Sequence, residues 1–387
     1  MPPKLPIFIL ISFPVLLVQG SAADSSKKSP AAPTSTPPRP PPPLGDPTWD
    51  LGLHLYRALR SDSSSVNTLF SPLLLASSLG ALGGGSAGAT SSQLQDLLKT
   101  PSIAKAGELL SGALKSFTAA NGTSFHLHTS SALFSKQAPP VSQAFVKESQ
   151  ARFGLQHQPL GKGDSKADLK QLRGWAKTGL GGLEEAPLAD DIQAKAGALI
   201  VANALRFKGF YRHHEDIENM VQVLEAPLSG GKASMVLLLP FHVESLARLE
   251  KLLTLELLSK WLEKTNITSM TISMPKANIT STLSLQKQLS ALGLTDAWDQ
   301  KAADFSGVSD KGKGKLHLGG VLHWASLELA AQAGKGAADL EEENIEKPKL
   351  FYADHPFIIF VRDNATGALL MMGALDHAEG ESIHDEL

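Results

Sequence analysis

The chain has 387 residues and no cysteine. Disulfide staples, thiolate metal sites and cysteine nucleophiles are therefore excluded, and stability has to come from burying an apolar core. Aromatic residues make up only 6%, and the charged residues, 19% of the chain, nearly cancel to a formal net charge of −2. That balance gives no electrostatic reason to expect nucleic acid or an acidic lipid surface as partner. There is no Walker sequence and no dinucleotide fingerprint, so no cofactor is expected. The apolar run at residues 5–18 is too short for a bilayer span of roughly 20 residues and is broken by Pro14, so membrane insertion is not expected either.

What is present begins with that run. Lys4 precedes it and small residues follow at 20–23, the pattern of a secretory signal peptide over residues 1–23. The last four residues, His384, Asp385, Glu386 and Leu387, read as an address for retention in the endoplasmic reticulum, with a retrieval receptor as partner. Asn121, Asn266, Asn278 and Asn364 each open an N-x-S/T acceptor and suit the same lumenal compartment.

Residues 24–47 are rich in Ser, Pro and Ala and end in PPRPPPPLGDP, a disordered leader biased towards polyproline II. Asp46-Pro47 then sets an N-cap and a first helical residue, and Leu51, Leu55 and Leu59 recur on one helical face. Ser71-Pro72 starts a second helix that glycines end at 83–85. Strands are expected at 126–134, 196–207, 235–240, 270–274 and 316–329. Two amphipathic helices with Thr254 as cap are expected at 242–263. Another helix is expected to hold Leu283, Leu285, Leu289 and Leu292 and to close at Gly293. Residues 330–348 read as a polar loop, and the chain closes with a hairpin of FIIFV, RDNATG and ALLMMGAL. Helices and strands mix without strict βαβ alternation, which argues for an α+β fold.

Few groups suggest chemistry. Gly84-Gly85-Ser86-Ala87-Gly88 matches the GxSxG elbow of hydrolases, but the elbow needs a strand before the serine, and the preceding residues read as helix. His126 with His128, and His213-His214-Glu215, lack the spacing of a zinc motif; solvated faces are the better account, and no metal is expected. No catalytic site emerges, and the chain is not expected to be an enzyme.

Three ordered segments then resemble the serpin family. NTLFSP at 67–72, continuing to Gly88-Ala89-Thr90, is similar to its early helix signature. NALRFKG at 203–209 is similar to its central-sheet strand, and residues 352–360 with the hairpin after them to its C-terminal signature. The resemblance covers residues 48–378, leaving 379–387 as a tail. It implies three β-sheets surrounded by helices, with an exposed reactive-type loop. PFHVESLARLEKLLT at 240–254, SMPK at 273–276 and PKLFYADHPF at 348–357 are most similar to the collagen-specific heat-shock serpins of the endoplasmic reticulum.

That resemblance implies a collagen-binding chaperone, with Leu350, Tyr352 and Asp354 facing the triple helix and Ser273 at the edge of the contact. Collagen exposes only its X and Y side chains. An arginine at Y would meet the Asp354 carboxylate in a charge-assisted pair, with Leu350 and Tyr352 covering the apolar flank. Alternation along a strand puts 350, 352 and 354 on one face. A plainer account has Tyr352 packed inward and Asp354 capping a turn before Pro356. His355 and His242 match family histidines linked to acid-triggered release, although a satisfied core histidine explains His355 equally well.

Two departures accompany the resemblance. Between Tyr211 and Val221 the family has several dozen more residues, which build parts of its second and third sheets. Phe241 stands where the family has the first of two paired histidines. The alternative function is inhibition of serine proteases by loop insertion. The small residues AAQAGKGAAD at 330–339 permit some insertion, but the E-x-G-T-E hinge is absent and Glu341-Glu342-Glu343 would be costly to carry into a sheet.

Overall fold

The computed structural model describes residues 7–12, 43, 46–62, 67–118, 130–136, 139–161, 165–179, 199–200, 211–227, 232–244, 246–268, 270–273, 277–310, 313–329, 349–378 and 381–382. Its helices are α1 (Pro47–Asp62), α2 (Pro72–Gly84), α3 (Gly88–Leu97), α4 (Ile103–Thr118), α5 (Gln143–Phe153), α6 (Ser165–Gly179), α7 (Ala247–Leu252), α8 (Leu255–Lys264) and α9 (Gln286–Ala291). Local chemistry sets their ends. Asp46 Oδ1 accepts from the Thr48 amide at the head of α1. Ser71 Oγ accepts from the Leu74 amide at α2, and Thr254 Oγ1 from the Leu257 amide at α8. Every residue of α2 from 72 to 83 is buried, the mark of a helix enclosed on all sides.

Strands fall into three main sheets. A seven-stranded antiparallel sheet runs β2 (Thr68–Phe70), β15 (Leu369–Leu375), β14 (Phe357–Asp363), β8 (Ala233–Pro240), β7 (Val221–Pro227), β6 (Tyr211–Asp216) and β9 (Asn266–Thr268). β8, β14 and β15 are buried throughout, so their apolar runs read continuously rather than alternating. A six-stranded sheet runs β11 (Ala277–Ser284), β12 (Leu318–Leu329), β1 (Ile7–Ser12), β3 (Ser130–Ser135) and β4 (Gln156–Pro159), with β5 (Leu199–Ile200) also on β3. The third pairs β10 (Met270–Ser273) with β13 (Lys349–Tyr352) in parallel.

Two buried arginines tie these elements together. Arg60 of α1 reaches Glu250 through Nε at 2.6 Å, and grips both oxygens of Asp376, just after β15, at 2.6 and 2.9 Å. Arg362 of β14 donates to Glu225 of β7 at 2.7 Å across the intervening β8. At Gly373 the sheet leaves no room for a side chain, because a Cβ there would collide with the carbonyl of Thr68.

Several expectations change. Leu283 lies in β11, not in a helix: residues 277–284 pair antiparallel with 329–322 of β12, and α9 begins only at Gln286. The polar Ser and Thr alternation of 277–284 fits an edge strand whose register β12 dictates. The strand expected over 126–134 is described from Ser130, and that over 196–207 lies outside the described residues except for Leu199–Ile200. Residues 7–12, within the run read as a signal peptide, form β1, parallel to β12 and antiparallel to β3. The length missing near residue 211 was expected to thin two sheets. The sheet of β6, β7 and β8 is seven strands wide, whereas β10 and β13 stand as a pair.

Candidate functional site

The site is built where β13 crosses to β14. Parallel pairing sets Thr271 opposite Leu350 and Ser273 opposite Tyr352. Pairing fixes the pleat, and the alternation then follows residue by residue: Phe351, Ala353 and His355 are buried, while Tyr352 and Asp354 are exposed. Phe351 anchors the inner face, its ring edge-on to His213 of β6 at 6.4 Å. Tyr352 keeps 50% of its surface exposed, which disposes of the inward-packed account. The side chains of Leu350 and Ser273 lie outside what is described, although the backbone puts both in the paired segment.

His355 links the exposed carboxylate to the seven-stranded sheet. Its Nδ1 is 2.7 Å from Asp354 Oδ1, and its Nε2 is 2.7 Å from the Pro240 carbonyl at the end of β8. A carbonyl only accepts, so Nε2 carries a proton. The neutral ring then turns a lone pair towards the carboxylate, whereas the protonated ring donates to both acceptors at once. Asp354 Oδ1 therefore faces a ring that can donate to it only when protonated. His355 is both the enclosed histidine of the plainer account and a group in direct contact with the carboxylate. His242, two residues beyond Pro240, is exposed.

Other sequence candidates separate. Ser86 Oγ donates to the Gly83 carbonyl at the end of α2, so helix, not strand, precedes it and no hydrolase elbow forms. His213 and His214 sit at successive positions of β6, the first buried against Phe351 and the second half-buried, its pKa lowered by burial and by Lys264. Among the described residues no group of three His, Asp or Glu is placed to hold a metal, and no helix is long and apolar enough to cross a membrane. Asn266 is exposed in β9, Asn278 pairs with Glu328 in β11, and Asn364 accepts from Ser234 Oγ at 2.8 Å. Asn121, residues 384–387, His126, His128 and the loop 330–348 lie outside the described residues.

One polar cluster escaped the sequence reading. His323, fully buried in β12, accepts the Ser71 amide on Nε2 at 3.0 Å, and Ser71 Oγ donates to the Leu370 carbonyl of β15 at 2.5 Å. Burial holds the His323 pKa well below the ordinary histidine value. A second lies at the β6–β7 turn. Burial alone would raise Asp216, but donors from Asn219 and Trp261 outweigh it and hold its pKa at about 2. The stretch HHEDIEN gave no sign that a tryptophan from α8 would reach this carboxylate.

The fold agrees with that of known proteins. The family model described as Serpin (serine protease inhibitor) matches residues 47–214 and 208–377. The chain is a serpin. Serpin H1 of Mus musculus is 34% identical over 385 residues, covering 89% of this chain and 90% of that protein. Serpin H1 of Gallus gallus is also 34% identical, over 89% and 93%. Uncleaved ovalbumin superposes with a TM-score of 0.75 over 86% of this chain and 99% of its own, at 18% identity, a likeness of fold alone. In this serpin the two matched stretches meet at 208–214, where the sequence placed the missing length.

Proposed function

We propose that this serpin is a collagen-binding chaperone of the endoplasmic reticulum rather than an enzyme or a protease inhibitor. The observation that carries the reading is the outward pair Tyr352 and Asp354, an aromatic face beside a carboxylate, presented from a strand whose alternate residues are locked in the core. A triple helix offers a rod of proline rings and an occasional long Y-position side chain. Tyr352 and Leu350 would cover the rings, Asp354 would pair with an arginine, and Ser273, opposite Tyr352, would border the contact. Similarity to the Serpin H1 proteins supports this assignment. The leader at 1–23, the sequons and the terminal His384-Asp385-Glu386-Leu387 support the compartment and a retrieval receptor as second partner.

Acid release follows from the His355 contact. Asp354 Oδ1 serves either an incoming guanidinium or its own neighbour, and a protonated His355 competes for it as a charged donor. His242, exposed beyond Pro240, is the second switch candidate that the family resemblance implies.

The test uses immobilised triple-helical peptides with arginine or proline at one Y position. The parent should be retained at pH 7 on the arginine peptide, and Asp354→Asn should bind it tenfold or more weakly. Equal retention of parent and variant sinks the reading. His355→Ala should bind at pH 6 nearly as it does at pH 7; unchanged acid release argues against the switch. Inhibition, the family's descriptive activity, predicts instead an SDS-stable covalent complex with a serine protease.

A further inference from the structure

Only four large apolar side chains are strongly exposed among the described residues: Leu109 at 55%, Ile217 at 72%, Val243 at 53% and Tyr352 at 50%. Scattered exposed hydrophobes need no explanation, but three of these four belong to segments that meet at one end of the seven-stranded sheet. Val221 pairs with Pro240, so the β6–β7 turn at 217–220 and the segment 241–244 leave the sheet side by side. The Phe241 amide donates to the Met220 carbonyl at 2.9 Å, and the Pro240 carbonyl faces His355 Nε2 at 2.7 Å. Pro240 is thus flanked by the Ile217 turn, the Val243 segment and the Tyr352–Asp354 strand.

The two flanking segments are braced from beneath. Arg248 donates to the Asn219 carbonyl at 2.6 Å and to the Met220 carbonyl at 3.3 Å, while pairing with Glu244 at 2.5 Å. Asp216 accepts from Trp261 Nε1 at 2.6 Å and from Asn219 Nδ2 at 2.8 Å. Turn tips ordinarily carry Gly, Asn, Asp or Ser. Here an isoleucine stands at the tip of a turn that charged and aromatic groups hold in place. Its exposure contributes nothing to folding, since the apolar area stays in water.

We propose that Ile217, His242 and Val243 continue the Tyr352–Asp354 contact, so that one elongated surface takes a second stretch of the same collagen triple helix. The inference rests on the collagen-binding reading and extends it. The occupant follows from shape and chemistry. A rod whose side chains are largely proline rings meets successive apolar groups along its length, and each triplet advances about 9 Å at the PPII rise. The β10–β13 pair is only two strands wide, and a contact continued past Pro240 gives the rod a longer rigid seat. Arginine choice stays with Asp354, while Ile217 and Val243 add affinity that is indifferent to arginine.

The experiment compares full-length parent, Ile217→Asp/Val243→Asp and Asp354→Asn on triple-helical peptides of two lengths, with and without arginine. The double variant should bind the longer arginine peptide roughly tenfold more weakly than the parent, keep the preference for arginine, and lose the advantage of the longer peptide. Asp354→Asn should lose the arginine preference and keep the length advantage. A double variant that binds as the parent does, while Asp354→Asn fails, overturns the extension and leaves the collagen reading standing. A parent that ignores collagen overturns both. Light scattering covers the rival occupant: a parent dimer that the double variant converts to monomer, with collagen binding unchanged, makes the patch an interface between copies and overturns the proposal. Should the aspartates impair folding, Ile217→Ser/Val243→Thr must show the same loss in smaller measure.

Discussion

His323 makes the pH dependence of stability calculable. The ring is fully buried, and its Nε2 accepts the Ser71 amide, so the folded protein holds it neutral with the proton on Nδ1. Burial places its pKa well below the ordinary histidine value of about 6.5, which the unfolded chain recovers. Below pH 6.5 the unfolded state therefore binds a proton that the folded state refuses, so stability is complete above that pH and falls as pH drops through it. Integrating the linkage from pH 7 to pH 5 gives at most about 2 kcal/mol from this one residue, or roughly 4 °C in melting temperature. His157 and His317, lowered by burial, and His214, lowered by burial and Lys264, act in the same direction. His323→Gln supplies an acceptor for the Ser71 amide but does not titrate. Urea unfolding at pH 5, 6 and 7 should show the midpoint falling with acid in both proteins, with the smaller fall in the variant. Equal falls would refute the assignment. Collagen release should still respond to pH in His323→Gln, because His355 is untouched.

Arg60→Met leaves the carboxylates of Glu250 and Asp376 facing each other without their cation, and should cost about 3–5 kcal/mol, seen as a melting temperature lowered by roughly 6–10 °C; a melt matching the parent's would mean that the network contributes little. Removing residues 1–23 takes β1 away from between β12 and β3, and the 196–207 segment should fill that place, since Leu199 and Ile200 address the same Leu133 and Ala132 as Ile9 and Leu10 do. The shortened chain should melt as cooperatively as the full chain or more so, and a loss of cooperativity would show that β1 belongs to the working fold.

The elements legible in the sequence were those in which local chemistry and burial agree. Asp46-Pro47, Ser71-Pro72 and Thr254 each supply a side-chain acceptor ahead of an apolar helix, and each begins one. The closing hairpin was legible because its strands are buried on both faces and its turn is polar. β11 was not legible: Leu283 and Leu285 have helical spacing with Leu289 and Leu292, and only the antiparallel register with β12 makes residues 277–284 a strand. Periodicity also could not exclude β1, because an apolar run of this length suits a leader and a buried strand alike. In the candidate site, alternation predicted the shared face of Tyr352 and Asp354. It also put His355 on the inner face with Phe351 and Ala353, but it could not predict that the ring would meet Pro240, a contact between residues 115 positions apart.

That long-range contact is what turns a strand end into a candidate device. An exposed aspartate on a loop would bind a guanidinium weakly, because solvent screens the pair and the side chain must be ordered for it. Asp354 is exposed and shares that screening, but the backbone that carries it is already ordered. Phe351 packs beneath the strand against His213, and the Pro240 carbonyl accepts from His355 Nε2, so the backbone that carries Asp354 is held in place from both sides. Ordering is thus done by folding rather than by binding, which is how preorganisation raises affinity. On the proposed reading the same arrangement would make the aspartate answerable to acid, since a protonated His355 would donate to Asp354 Oδ1 and compete for it. His355→Ala then loses acid release; a His355→Ala protein that releases collagen at pH 6 as the parent does would show that the ring between Asp354 and Pro240 is structural alone.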